Sequence, residues 1–70
     1  MISYYLKKYF NKNNISQYQI ESLTGISQSK ISLILNGKRR LTADELLKIA
    51  IVFDIDLENI KKEIKTSSRN

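Results

Sequence analysis

Hydrogen-bonding side chains and cations lie at the two ends of one short segment, residues 27–40, which reads SQSKISLILNGKRR. Its head, residues 27–29, carries two hydroxyls and an amide, and its end, residues 38–40, carries three consecutive cations. Amides and hydroxyls can form directed hydrogen bonds, and clustered cations attract anions. The segment therefore fits either an ordinary surface helix with a solvated charge run or a helix that lies against a polyanion.

The side chains that most enzymes and metal sites depend on are missing. The sequence contains no His and no Cys, which removes the usual general base, the commonest metal ligand and any disulfide. It has no Gly-rich phosphate loop and no carboxylate pair placed for a cleft, since Asp54 and Asp56 are better explained as capping and turn residues. We therefore expect a protein that is not an enzyme and that holds no cofactor or metal.

Size and charge narrow the class further. Seventy residues with a net charge of +5 allow one small domain. Residues 1–41 carry seven cations against Glu21 alone, residues 42–60 carry five carboxylates against Lys48 alone, and residues 61–70 have a net charge of +3. This division favours one face for an anionic partner, although accidental clustering on a solvated surface explains it too. No apolar run is long enough to span a membrane, so we expect a soluble, cytoplasmic protein without a membrane partner.

Apolar periodicity and capping residues divide the chain into five helices, without any alternating strand pattern. The first helix covers residues 2–12, with Ile2, Leu6 and Phe10 on one face, and the Asn residues that follow weaken it. Ser16 is a suitable N-cap for the second helix, which Gly25 ends, and Ser27 caps the third, which Gly37 ends. The apolar residues that should hold these two helices together are Ile20, Ile31 and Ile34.

Two further helices complete the predicted fold. Thr42 and Glu45 match the capping box at the start of the fourth helix, and Asp56 caps the fifth. The expected buried residues of the fourth helix are Leu46, Leu47, Ile49, Ala50 and Phe53. The fifth helix carries Leu57, Ile60 and Ile64, of which Leu57 and Ile60 are expected to pack within the bundle. The prediction is an all-α, compact five-helix bundle at residues 1–64, followed by a polar flexible tail at residues 65–70.

The segment from Ser16 to Gly37 has helix-turn-helix geometry, in which the second helix can enter the major groove of DNA. With SQ at 16–17, TGISQS at 24–29, NGK at 36–38 and LLKIA at 46–50, the chain resembles the Cro/repressor-type helix-turn-helix family. These are the lambda-repressor-like DNA-binding domains of bacteria and their phages, and the likeness covers roughly residues 2–62. It implies a bundle that binds operator DNA, usually as a homodimer, with the third helix in the major groove.

The resemblance also implies roles for individual residues. The residues expected to contact bases are Gln28, Ser29, Ser32 and Leu33. Gln28 could pair with the N6 and N7 atoms of adenine, and Leu33 could contact a thymine methyl group. The plainer alternatives are an exposed polar side chain for Gln28 and packing on a neighbour for Leu33. The residues expected to contact phosphates are Gln17, Ser27, Lys30, Asn36, Lys38, Arg39 and Arg40, and for each of them a solvated role is the alternative.

The sequence departs from the family pattern in three places. Many members pair an Arg in the first helix with a Glu before the Asn-Gly turn, and here Phe10 and Leu35 stand at those positions. We expect these two apolar side chains to touch, because replacing both members of an ion pair leaves neither charge buried alone. Glu21 replaces a small residue where the second and third helices approach, so either the helices separate slightly or its stem extends outward. Leu41 stands where many members have a polar residue or Pro, so the family pattern does not predict the path of the loop after Arg40.

The predicted function is sequence-specific regulation of transcription, most simply repression by occupying operator DNA. A homodimer is expected on DNA, and the apolar residues late in the chain, Ile64 above all, are candidates for its interface. The sequence has no sensor domain, so no small-molecule ligand is expected. The alternative is a protein-interaction module that docks a toxin, an anti-repressor or a polymerase, with DNA binding secondary.

Overall fold

The computed structural model describes the backbone of residues 2–68 and the side chains of residues 2–62. The described part is all-helical and has five helices, as predicted. They are α1 (Ile2–Lys12), α2 (Gln17–Thr24), α3 (Gln28–Leu35), α4 (Ala43–Val52) and α5 (Leu57–Ser68). The backbone of α5 continues to Ser68, past the predicted start of the tail at residue 65. Residues 65–68 contain no Gly or Pro that would end the helix.

All four residues predicted to cap helix N-termini do so. They are Ser16, Ser27, Thr42 and Asp56, and each side chain accepts a hydrogen bond from a backbone N–H of the first turn. Thr42 and Glu45 form the predicted capping box. Ser16 and Gln19 form a second one, in which Gln19 Oε1 accepts from the Ser16 N–H at 2.9 Å. These bonds satisfy N–H groups that the helices cannot pair internally.

A residue with left-handed backbone conformation follows each of α1, α3 and α4 and ends the helix in the same way. Asn14, Gly37 and Asp54 have φ values of 56°, 72° and 54°. The residue after each one donates its N–H to the carbonyl five positions earlier, at 2.8 to 2.9 Å, which is the Schellman arrangement. Gly25, with φ of 79°, ends α2 and donates to the carbonyl of Glu21 at 2.8 Å. The predicted stops at Gly25 and Gly37 are therefore confirmed.

Replacing Asp54 by Gly should stabilise the domain by about 1 kcal/mol, because Gly adopts the left-handed conformation without a Cβ clash and removes a negative charge from a helix C-terminus. The matched change in the other direction is Gly37→Ala. A Cβ at Gly37 meets no atom within 4 Å, so its cost of about 1 kcal/mol is conformational. Urea unfolding of both variants measures these shifts. A lower free energy of unfolding for Asp54→Gly would contradict the expectation.

The core lies between the packed helices, in which α3 contacts α1 and α2, α1 also contacts α5, and α2 also contacts α4. Its buried apolar residues are Leu6, Phe10, Ile20, Ile26, Ile31, Ile34, Leu35, Ile49, Ala50, Ile55 and Ile60. The Phe10 ring packs edge-on against Phe53, with centroids 5.2 Å apart, and against Tyr9 at 5.5 Å. Phe10 and Leu35 belong to one buried cluster, so the apolar residues occupy the core without burying a charge. Their direct contact stays a prediction.

Two predicted core residues, Leu47 and Leu57, are instead exposed, by 47% and 46%. The core-facing stripe of α4 follows the helical repeat through positions 46, 49, 50 and 53, and Leu47 falls outside it. Leu57 is the first residue of α5, and the helix reaches the core one turn later, at Ile60. The side chain of Ile64 lies outside the described residues.

Candidate nucleic-acid interface

Buried residues hold α2 and α3 at a fixed mutual position. Ile20, Ile31 and Ile34 are at most 3% exposed, as predicted. The turn between the helices is tied by Thr24, whose hydroxyl donates to the Ile20 carbonyl at 2.6 Å and accepts from the Ile26 N–H at 3.1 Å. Sequence periodicity did not indicate this role of Thr24. The feature of the sequence that could have indicated it is the position of Thr24 directly before the turn glycine. The outer face of α3 is consequently presented on a rigid support.

The exposed face of α3 carries three of the four residues expected to contact bases. Ser29 is exposed, Ser32 is half-buried, and Leu33 is 44% exposed. Their spacing of three and four residues places them on one side of the helix, and the same stripe continues to Asn36. The exposure of Leu33 leaves much of its side chain available for contact with a partner. Glu21 is also exposed, which agrees with a stem that extends away from the helix contact.

Gln28 and Gln17 contact each other directly. Each is half-buried and is the first residue of its helix, and Gln28 Nε2 donates to Gln17 Oε1 at 2.6 Å. This bond restricts the rotation of the Gln28 amide. It leaves the second N–H and the Oε1 of Gln28 available, which is the donor and acceptor pair that matches N7 and N6 of adenine. The sequence indicated separate roles for the two residues but not their contact.

The residues expected to contact phosphates differ in whether their side chains already form ion pairs or hydrogen bonds within the domain. Among the described residues, no carboxylate pairs with Lys30, Lys38 or Arg40, which are all exposed. Ser27 is engaged as the N-cap of α3. Asn36 is engaged on both sides of its amide, since Nδ2 donates to the Ser32 carbonyl at 2.9 Å and Oδ1 accepts from a lysine ammonium at 3.3 Å. Lys30 lies in the first turn of α3, and Lys38 and Arg40 follow the end of the helix.

Arg39 occupies a different setting from the other cations. Its Nη1 forms an ion pair with Glu45 Oε1 at 3.0 Å and also donates to the carbonyl of Arg40 at 3.2 Å. The same carboxylate oxygen accepts from the Thr42 N–H at 2.9 Å. Arg39 therefore ties the loop between α3 and α4 to the start of α4. Contact with phosphate, which stays a prediction for this residue, requires its guanidinium to leave Glu45 or to use its remaining donors.

The Arg39 bond to Glu45 should make stability depend on pH. Hydrogen bonds from Arg39 and from the Thr42 backbone lower the pKa of Glu45 below its ordinary value of 4.5. Because the folded-state pKa is the lower one, the stabilisation is complete above the ordinary pKa and is lost as pH falls through the folded-state value. We expect Glu45→Gln to be less stable than wild type at neutral pH, with a difference that shrinks in strong acid.

Urea unfolding at pH ~7 and at pH ~2.5 measures that difference. Glu58→Gln is the matched control, because Glu58 is an exposed carboxylate in the first turn of a helix and has no ion pair among the described residues. A gap between wild type and Glu45→Gln that stays constant between the two pH values would refute the role of Glu45 ionisation.

Comparison with known families decides the identity of the fold. A family model described as helix-turn-helix matches residues 6–60, most of the chain. The chain belongs to the Cro/repressor-type helix-turn-helix family. This membership makes it a DNA-binding helix-turn-helix regulator with α3 as the second helix of the motif. Comparison with curated proteins and with solved structures gives no significant match.

No helix within residues 2–68 is both long and apolar enough to cross a bilayer. Among the side chains of residues 2–62, no group of three or more carboxylates, imidazoles or thiols is placed to hold a metal ion. The exposed face of α3 and its flanking cations remain the candidate interface of this Cro/repressor-type domain.

Proposed function

We propose that the protein is a sequence-specific transcriptional regulator that represses by occupying operator DNA, with α3 in the major groove. The observation that carries the proposal is the hydrogen bond of 2.6 Å between Gln28 and Gln17. A free glutamine side chain loses rotamer entropy when it binds a base, and a side chain already held by a neighbour loses less. The bond therefore favours a role for Gln28 in reading a base over that of an ordinary solvated side chain.

Contacts with phosphates would orient α3 on the duplex. The first turn of α2 contains no acidic residue, so its free N–H groups and positive end can receive a phosphate next to Gln17. Lys30, Lys38 and Arg40 supply exposed positive charge around α3. Contacts of this kind hold the register of a protein on DNA while base contacts select the sequence.

We also propose that the protein binds its operator as a homodimer. Paired recognition helices about 34 Å apart match one turn of duplex, and a two-fold operator matches a two-fold dimer. Leu57 is exposed at the start of α5 and is available for a contact with a second copy. A regulator of this kind acts where the chromosome lies, so we place it in the cytoplasm, on the nucleoid when bound, and without catalytic activity of its own.

Selection from a pool of random duplexes at low salt, followed by sequencing of the bound fraction, tests the proposal. We expect one enriched motif made of two inverted half-sites whose centres lie about 10 base pairs apart. A single half-site would support base reading without the dimer. Enrichment of no motif, with binding that depends only on salt, would refute the specific reader. Repression of a reporter carrying the motif distinguishes repression from activation.

The alternative is a protein-interaction module with DNA binding secondary, and exposed apolar side chains on α4 favour it. Leu47 and Ile51 are one turn apart and are 47% and 76% exposed, beside Val52 at 39%. Replacing Ile51 by Ser and replacing Lys38 by Ala separates the two functions in cells. Loss of regulation by Ile51→Ser with unchanged DNA binding would support the module, whereas loss by Lys38→Ala alone would support the DNA-binding regulator.

A further inference from the structure

We propose that Lys7 of α1 is an additional DNA contact, which binds a backbone phosphate in a cleft between α1 and the C-terminal end of α3. The inference rests on the proposed function and extends its interface to a helix outside the helix-turn-helix. The sequence places Lys7 in a helix with two other lysines and gives no reason to single it out.

A hydrogen bond places Lys7 next to α3, the proposed recognition helix. Its Nζ donates to Asn36 Oδ1 at 3.3 Å, although the two residues are 29 positions apart in the chain. Asn36 is itself held by its bond to the Ser32 carbonyl, at the end of the exposed stripe of α3. A lysine ammonium has three donors and Asn36 takes one of them, so the others can meet a phosphate oxygen.

The surroundings of the Lys7 ammonium are basic. The cleft beside it is lined by Ser3, Tyr4, Lys7, Leu35, Asn36 and Gly37. A second depression adjoins it, shares Ser3 and Gly37, and is lined further along by residues 38–41 with their three cations. No carboxylate lines either one, and the first turn of α1 contains no acidic residue. The two clefts thus form one continuous surface that is basic and carries hydroxyl groups.

The length of α3 sets the distance between Lys7 and Gln28, the residue that is proposed to read a base. An eight-residue helix such as α3 is about 12 Å long, which is close to the width of about 12 Å of the major groove. If Gln28 lies in the groove, the other end of α3 lies near its edge, where the phosphates are. Lys7 and Asn36 stand at that end. A backbone phosphodiester of the bound duplex is therefore the ligand that the cleft fits.

Lys8 offers a matched control on the same helix. It has the same charge and is exposed, but it lines neither cleft, and its Nζ lies 5.6 Å from the centroid of the Tyr4 ring. Alanine at either position should leave stability nearly unchanged, because both side chains are at the surface. Any difference between the two variants in DNA binding then reports position rather than total charge.

The experiment measures the affinity of wild type, Lys7→Ala, Lys8→Ala and Lys7→Arg for one duplex between 50 and 200 mM salt. Loss of one phosphate contact reduces the steepness of log affinity against log salt concentration by about 0.9. Over this fourfold range of salt, the affinity of wild type should therefore fall by a factor about 3.5 times larger than that of Lys7→Ala. Lys7→Arg should keep the wild-type slope, and Lys8→Ala should stay close to it. Single methylphosphonate substitutions in the duplex should then reveal a phosphate whose neutralisation weakens wild type but not Lys7→Ala.

Equal slopes for Lys7→Ala and Lys8→Ala would overturn the inference, and so would the absence of a phosphate that depends on Lys7. The salt slopes can be measured on any duplex that the protein binds, including one of arbitrary sequence. The methylphosphonate test uses the selected operator, on which the protein has a single register. Failure of the proposed function appears separately, as a selection without a motif. The two proposals can therefore fail independently.

Discussion

Replacing Phe10 by Ala should lower the free energy of unfolding by about 3–5 kcal/mol, among the largest effects that we expect from a single substitution. Phe10 is 2% exposed, and its ring contacts the rings of Phe53 and Tyr9 edge-on. Removal of the ring leaves a cavity between α1 and the end of α4 that the neighbours cannot fill completely. A small domain has a total stability of about 5 kcal/mol or a little more, so much of the variant should be unfolded near 37 °C.

Thermal and urea unfolding followed by circular dichroism measures this loss. Tyr18→Ala removes an aromatic ring that is 73% exposed, and it should change stability by about 0.5 kcal/mol or less. A loss below about 1 kcal/mol for Phe10→Ala would mean that the core closes over the missing ring and that the edge-on contacts matter little.

A double-mutant cycle at Phe10 and Leu35 tests whether these two residues replace an ion pair. Phe10→Arg or Leu35→Glu alone places an unpaired charge in the core and should cost about 3–5 kcal/mol. If the two side chains are in contact, the double variant should recover part of that loss, because the charges pair. Strictly additive losses would show that the residues share the core without touching.

Replacing Gln28 by Ala should weaken binding to the selected operator by about 1–3 kcal/mol, or about 5- to 150-fold, and should relax the preference at one base pair. The variant lacks the amide that is proposed to form both hydrogen bonds to the base edge. Gln17→Ala should weaken binding as well, because it removes the acceptor that holds the Gln28 amide and a proposed phosphate contact. Selections repeated with each variant show which position of the motif loses information.

Lys38→Ala is the control for a contact with phosphate, because Lys38 is exposed and pairs with no carboxylate in the described part of the chain. It should weaken binding to all sequences alike and lower the salt slope by about one. Arg39 is unsuitable as this control, since its removal also breaks the ion pair with Glu45. Identical behaviour of Gln28→Ala and Lys38→Ala would contradict the proposal that Gln28 recognises a base and Lys38 binds a phosphate.

The limits of the helices followed from the sequence because they depend on interactions a few residues long. Ser16 and Thr42 bond within their own first turns, and Gly37 adopts a conformation that only its own missing Cβ makes easy. The buried stripe through Ile20 and Ile31 followed from the helical repeat in the same way. These local signals were sufficient for the fold class and for the position of α3.

The pairing of side chains within the candidate site was decided by the tertiary structure. Gln28 bonds to a residue 11 positions away, and Lys7 to one 29 positions away. The exposure of Leu47 also depended on which neighbours α4 packs against, since hydrophobicity alone favours burial. Helical periodicity places a side chain on one side of its helix, but only the arrangement of the helices decides what it meets there. The sequence alone thus determined which residues face outward at α3, and the packing decided which of them are held in place.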